Sequence, residues 1–357
     1  MRRRRDEGIG LEELAQAARN HGMPLEALRY DLTPAGLHYL LIHYDIPFVD
    51  PAAWRLEIGG HVGRPLSLSL EDLRARPAVT APVTLECAGN GRTLYEDRPV
   101  SQPWLLEAVG TASWTGTPVV SLLGEAGLDD DAVSVVFTGL DRGIEGGEER
   151  AYERALPVAE ARRADVLVAY AMNGQPLLPQ HGSPARLIVP GWYGMAHVKW
   201  LTSIRAMPEP FDGYQHRAAY RFHRDEDDPG TPLDRIRPRA LMIPPGIPTF
   251  PGRERTLAPG PITLVGRAWS GGGPIQRVEV SVDGGATWQG GELGPELGEH
   301  AWRGWSFRWE ATPGAHELAC RATDASGATQ PDDAEFNTGG YVNNGIQRVR
   351  VTVTGPA

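Results

Sequence analysis

Apolar and polar positions follow two different textures along the 357-residue chain, with a break beginning near residue 224. Between Trp54 and about Ala206, the runs W-R-L-E-I-G-G, A-V-S-V-V-F-T-G, V-L-V-A-Y-A-M and A-R-L-I-V-P have strand character. They alternate with L-S-L-E-D-L-R, P-V-V-S-L-L-G-E-A-G and L-P-V-A-E-A-R-R, whose apolar residues recur at helical spacing. Interleaving of this kind, without a strict βαβ series, predicts an α+β domain on a mixed sheet. A stretch rich in Pro, Arg and Asp then reads as a surface connector. Beyond it come I-T-L-V-G-R-A-W, I-Q-R-V-E-V-S-V-D-G-G-A-T-W, W-S-F-R-W-E-A, H-E-L-A-C-R-A-T-D and I-Q-R-V-R-V-T-V. Regularly spaced alternating strands with Asp-Gly turns predict an immunoglobulin-like sandwich.

Upstream, L-E-E-L-A-Q-A-A-R-N predicts an amphipathic helix, and the pattern breaks near Gly22 and Pro24. The expected organisation is an N-terminal helical extension over 1–35, the α+β domain over 36–225, a connector over 226–252 and the sandwich over 253–357. A length of 357 residues agrees with more than one core.

Composition narrows the function classes. A net charge of −10 argues against a general nucleic-acid surface or an anionic-membrane surface. The start, M-R-R-R-R-D-E, has no apolar run behind it, so it reads as a frayed basic end rather than an export signal, and a cytoplasmic protein is expected. Only 2 Cys are present, too few and too far apart for a disulfide scaffold or a paired metal motif.

Cys320 falls inside an alternating strand and reads as a buried apolar filler. Cys87 is placed differently. In V-T-L-E-C-A-G-N-G-R it ends a strand and precedes a flexible Gly-Asn-Gly turn, with Arg92 close enough in sequence to favour a thiolate. A core thiol, a nucleophile partnered by His43, His181 or His197, and a metal ligand all fit these residues. A second cluster lies in P-Q-H-G-S-P-A-R-L-I-V-P-G-W-Y-G-M-A-H-V-K-W, where His181, Arg186 and Lys199 suit a phosphate-bearing anion. Asp141, in F-T-G-L-D-R-G-I, could accept from a heterocycle or cap a turn.

T-L-E-C-A-G-N-G-R resembles the molybdenum-ligating cysteine motif of the sulfite oxidase family. The resemblance runs in order through T-P-A-G-L-H-Y-L-L-I-H, A-Y-A-M-N-G-Q-P-L-L-P-Q-H-G, P-G-W-Y-G-M-A-H-V-K-W-L and A-W-S-G-G-G-P-I-Q-R-V-E-V. It implies a molybdopterin-binding domain followed by a dimerisation domain, a molybdenum–molybdopterin cofactor, no haem in this chain and oxygen-atom transfer on a small-molecule substrate. By the same resemblance Cys87 ligates molybdenum. His43, Asp141, His181, Arg186, Gly194, Ala196 and Lys199 hold the pterin and its phosphate, while Arg92 and Tyr220 face the substrate. A homodimer is implied, with the Trp-rich strand W-R-G-W-S-F-R-W as candidate interface or core. Electrons would pass to a separate acceptor or come from a separate donor, such as a cytochrome.

Four positions depart from the family's sulfite enzymes, which carry arginine where this chain has Leu41, Gly91, Ala196 and, near the C-terminal end, a position around Gly339 that any of Asn337 to Gly340 can match. A charge-assisted contact contributes ~1.5–3 kcal/mol, so loss of two is expected to cost about 3–6 kcal/mol of dianion binding. Oxidation of sulfite, weakly turned over, or of a related small oxyanion is the leading expectation, and reduction of a neutral S-oxide or N-oxide is the alternative.

Overall fold

The computed structural model describes residues 1–250 and 252–355. Two sheets build the larger domain. In one, Gln175–Pro176, Leu167–Met172, Val109–Pro118 and Val79–Glu86 run antiparallel in that order, with Arg186–Ile188 also paired to Leu167–Met172. The other has the order Leu66–Leu68, Leu56–Gly60, Leu201–Met207, Ser134–Glu145 and Glu148–Pro157. Its mixed character comes from one parallel pairing, Leu56–Gly60 with Leu201–Met207. Val119–Ala126 packs its buried Val119, Leu122, Leu123 and Ala126 into the core beside Phe137 and Leu201. That helix stops at Gly127, whose positive φ of 69° ends the helical path.

The C-terminal region is a sandwich. One sheet orders Arg239–Met242, Gly260–Trp269, Arg303–Ala311 and Glu292–Leu293; the facing one includes Arg255–Leu257, Gln347–Val353, Gly314–Asp324 and Ile275–Ser281. Inward residues of both sheets form one core, including Val278, Trp305, Leu318, Cys320 and Val351. Cys320 is fully buried there, as a filler should be. Trp302, Trp305 and Trp309 are also buried, so these tryptophans fill the interior rather than form an exposed surface.

Two segments differ from their sequence reading. Within 226–252, Arg239–Met242 is a buried strand that pairs antiparallel with Gly260–Trp269. Its short run of R-A-L-M was masked by the prolines around it. The basic N-terminus is not frayed: Arg2–Arg4 pairs with Asp97–Pro99, and Leu11–Ala17 is helical. Buried Glu13 on that helix meets Arg98 at 3.2 Å and fastens the extension to the body. Among the described residues, no helix is long and apolar enough to cross a membrane.

Candidate active site

Cys87 follows the last residue of Val79–Glu86, a strand pinned along its length to Val109–Pro118. Its amide donates to the Ala108 carbonyl at 2.9 Å, and its carbonyl accepts from the Asn90 amide at 2.9 Å, closing a tight turn. Gly91 completes the turn at φ 84°, where any Cβ would come within 2.9 Å of Asn343. The sequence bends here because A-G-N-G offers no bulk to resist it.

The thiol reaches a cavity in the larger domain. Its wall contains His43, Cys87, Asp141, His181, Arg186, Gly194, Lys199 and Tyr220, eight of the ten residues singled out from sequence. Ala196 instead packs into the hydrophobic core. Arg92 opens onto a neighbouring funnel that shares Cys87, His43 and Tyr220 with the cavity and adds Trp104, Glu145 and Tyr341. Leu41 lines both spaces, whereas Gly339 lines an adjacent recess with Arg92 and Tyr220.

At one end of the cavity the charges are cationic and lack carboxylate partners. Arg186 donates to the carbonyls of His181 at 3.0 Å and His197 at 3.2 Å, while its buried Nε has no partner. Lys199 donates to the carbonyls of Leu41 at 2.6 Å and Gln180 at 3.4 Å. Burial first, and then Arg186, pushes Lys199 down to about 7. Burial drives His181 down to about 3, so it is a neutral imidazole at physiological pH. Burial also raises Asp141 to about 6, against the pull of Lys199, and its Oδ1 lacks a partner, as does His38 Nε2.

Gly194 gives the cavity its close backbone approach. A Cβ there would lie 2.6 Å from the Tyr39 hydroxyl and 3.1 Å from the Glu86 carbonyl oxygen. Burial pushes the Cys87 thiol up, although the Gly89 amide and Arg92 favour its thiolate.

The funnel is an aromatic and polar surface around Tyr220, which holds φ at 51°, rare for an aromatic residue. Its Oη lies 3.5 Å from His43 Nδ1, and His43 Nε2 lies 3.2 Å from Glu145 Oε1. Tyr44 donates to Glu145 Oε2 at 2.7 Å. Burial opposes charge on Glu145, yet hydrogen bonds from His43 and Tyr44 outweigh it and hold the carboxyl below its usual range. Arg92 Nε donates to the Gly340 carbonyl at 3.2 Å and stacks 5.0 Å from the Tyr341 ring centre.

Several residues here escaped the sequence reading. His38 and Tyr39 lie in the quoted T-P-A-G-L-H-Y-L-L-I-H, so a signal existed for them. Tyr152 and Arg154 lie in Glu148–Pro157, whose polar composition hid its being a strand.

Residues 43–215 match the family model described as oxidoreductase molybdopterin binding domain, and residues 251–354 match Mo-co oxidoreductase dimerisation domain. Fold and site together define a molybdopterin-binding domain of the oxidoreductase class joined to a dimerisation domain. The chain is 36% identical over 340 residues to human mitochondrial sulfite oxidase, covering 90% of itself and 62% of that protein's length. With sulfite oxidase of Gallus gallus it shares 37% over 341 residues, covering 90% of itself and 73% of the relative. Nitrate reductase [NADH] 1 of Oryza sativa subsp. japonica is 34% identical over 356 residues, covering 91% of this chain and 38% of that one. In structure it resembles the sulfane dehydrogenase SoxCD from Paracoccus pantotrophus, with TM-score 0.82 and 26% identity over 94% of this chain and 86% of the other. The chain belongs to the sulfite oxidase family.

The residues present fit a molybdenum–pterin group. Buried Arg186 and half-buried Lys199 suit an anion, Asp141 Oδ1 and Arg186 Nε are without hydrogen-bond partners, Gly194 leaves a cradle, and a buried thiol offers a soft ligand.

Proposed function

We propose that this chain is a molybdenum-dependent oxidoreductase acting on a small sulfur oxyanion, sulfite or a close relative. The observation that carries the reading is the position of Cys87, on the wall between the cationic cavity and the Arg92–Tyr220 funnel. When bound, the metal centre supplies oxygen-atom transfer and accepts or returns two electrons. In the proposal, Arg186 and Lys199 neutralise the cofactor phosphate with neutral His181 beside them. Asp141 and His38 hydrogen-bond the heterocycle, and the Gly194 backbone lets it approach. The Cys87 sulfur ligates the metal. Arg92 and the Tyr220 hydroxyl orient the substrate oxygens, a preorganised electrostatic effect. His43, between Tyr220 Oη and Glu145 Oε1, offers a route by which a proton leaves the funnel for the partly exposed carboxylate.

A second reading has one observation in its favour. Uncharged Leu41 and Gly339 line the funnel and its recess, which suits a neutral S-oxide or N-oxide reduced in the opposite direction. Two assays on metal-loaded protein decide. Sulfite-dependent dye reduction with about one molybdenum per chain supports the first reading; turnover of S-oxides with reduced viologen, without sulfite oxidation, supports the second. Leu41→Arg should raise sulfite turnover under the first.

The sandwich is proposed to pair two chains through residues other than its buried tryptophans. Electrons are proposed to pass to, or come from, a separate partner protein.

A further inference from the structure

Buried cations without a counter-charge are costly, and three of those in this chain lie around one place. Among the described residues seven arginines are buried: Arg92, Arg98, Arg154, Arg186, Arg239, Arg255 and Arg267. Arg98, Arg239 and Arg267 are paired with Glu13, Glu86 and Asp31. Among the described residues, the other four have no carboxylate within 4.0 Å. Arg186 faces the cofactor cavity, Arg92 the funnel, and Arg255 a distant groove of the sandwich. Arg154 lines neither the cavity nor the funnel.

Arg154 is only 3% exposed. Its Nη1 donates to the Gln215 carbonyl, and its Nε has no hydrogen-bond partner. The guanidinium carbon lies 5.4 Å from the centre of the Tyr220 ring. Tyr220 and Tyr341 are 5.6 Å apart, and Arg92 covers the Tyr341 ring. The four side chains form a stack, Arg154–Tyr220–Tyr341–Arg92, with a cation at each end.

Nothing nearby cancels the inner charge. Burial and then Arg154 push His216 down to about 4, so it is neutral. Glu145, in the same network, makes no ion pair with Arg154 and is already engaged by Gln215, His43 and Tyr44. A cation on a ring face withdraws density from it and makes the hydroxyl a stronger donor, and a charge in protein interior is weakly screened.

We propose that Arg154 is a specificity-determining cation of the substrate pocket. Acting through Tyr220, it supplies positive potential that arginines at 41 and 339 would otherwise give, so the pocket selects a small oxyanion over a neutral sulfur compound. The inference rests on the reading of this site as an oxygen-atom-transfer centre.

The test compares the parent holoenzyme with Arg154→Gln, Arg154→Lys and the double variant Arg154→Gln/Leu41→Arg. Sulfate binding is measured by calorimetry, and kcat and KM for sulfite with a dye acceptor. Arg154→Gln keeps a donor for the Gln215 carbonyl but removes the charge; it should weaken sulfate roughly tenfold and act on KM more than on kcat. Arg154→Lys should stay within about threefold, and Leu41→Arg should restore most of the loss in the double variant. Sulfate affinity unchanged in Arg154→Gln overturns the proposal, and so does a tenfold loss in Arg154→Lys, which stands even if the glutamine variant fails to fold. Metal analysis separates the two claims. Sulfate binding that depends on Arg154 in a protein without molybdenum refutes only the enzymatic reading. A loaded protein indifferent to residue 154 refutes only this inference.

Discussion

Glu86, the residue immediately before Cys87, faces Arg239 of the sandwich at 2.9 Å, with both side chains 1% exposed. The contact is ionic, since Arg239 Nε makes no directed hydrogen bond; Trp269 and Asn90 supply those to Glu86, at 2.7 and 3.0 Å. Arg239 also donates to the Asn343 carbonyl, and Asn343 donates to Gly91 at 3.0 Å. The turn carrying Cys87 is therefore held on both sides by the second domain.

Breaking a buried pair of this kind leaves a bare charge and costs about 3–5 kcal/mol. Arg239→Met should destabilise the protein by that amount in chemical denaturation. Adding Glu86→Gln removes the stranded charge and should recover at least half the loss.

If Cys87 ligates molybdenum, Cys87→Ser should abolish turnover while pterin remains, because Arg186 and Lys199 hold the other end. Pterin fluorescence after acid release, measured beside metal content, checks this. Loss of pterin together with the metal would show that the sulfur also governs cofactor retention.

Lys199→Met and Gly194→Ala should each lower cofactor occupancy for different reasons. The first removes a phosphate cation. The second places a methyl group 2.6 Å from the Tyr39 hydroxyl, inside normal contact distance. Without cofactor, Lys199→Met should raise the melting temperature, since it relieves a buried ammonium. That opposite sign separates the two variants.

Acid should destabilise the cofactor-free protein through its buried histidines. Burial lowers His38 and His216 to about 4, and His181 and His197 to about 3, from 6.5. The unfolded chain takes up these protons first, so stability is lost as pH falls through 6.5, with a slope of up to about 1.4 kcal/mol per pH unit per histidine. Asp141, raised from 3.8 to about 6, has the opposite slope between those values and offsets about one histidine of the four. Melting curves from pH 7.5 to 5 should fall, and His181→Gln should flatten the decline by roughly a third.

Local patterns in the sequence carried much of this molecule. The alternation of I-Q-R-V-E-V-S-V and its partners determined the sandwich, because period-two burial is written into neighbouring residues. T-L-E-C-A-G-N-G-R marked the turn, and short motifs marked most of the cavity wall. The strand Glu148–Pro157 was less legible: with few apolar residues, it is held by the ladder to Ser134–Glu145. Arg239–Met242 likewise became a strand because Gly260–Trp269 pairs with it.

Sequence alone therefore determined the domain types, the family and the thiol at the site. Only the tertiary structure brought Arg154 to the face of Tyr220 and Arg239 to Glu86, because both encounters join residues whose neighbours in sequence contain no trace of the partner. A missing arginine at position 41 is visible in the chain; a cation that could do its work from another strand becomes visible only once the sheets have packed.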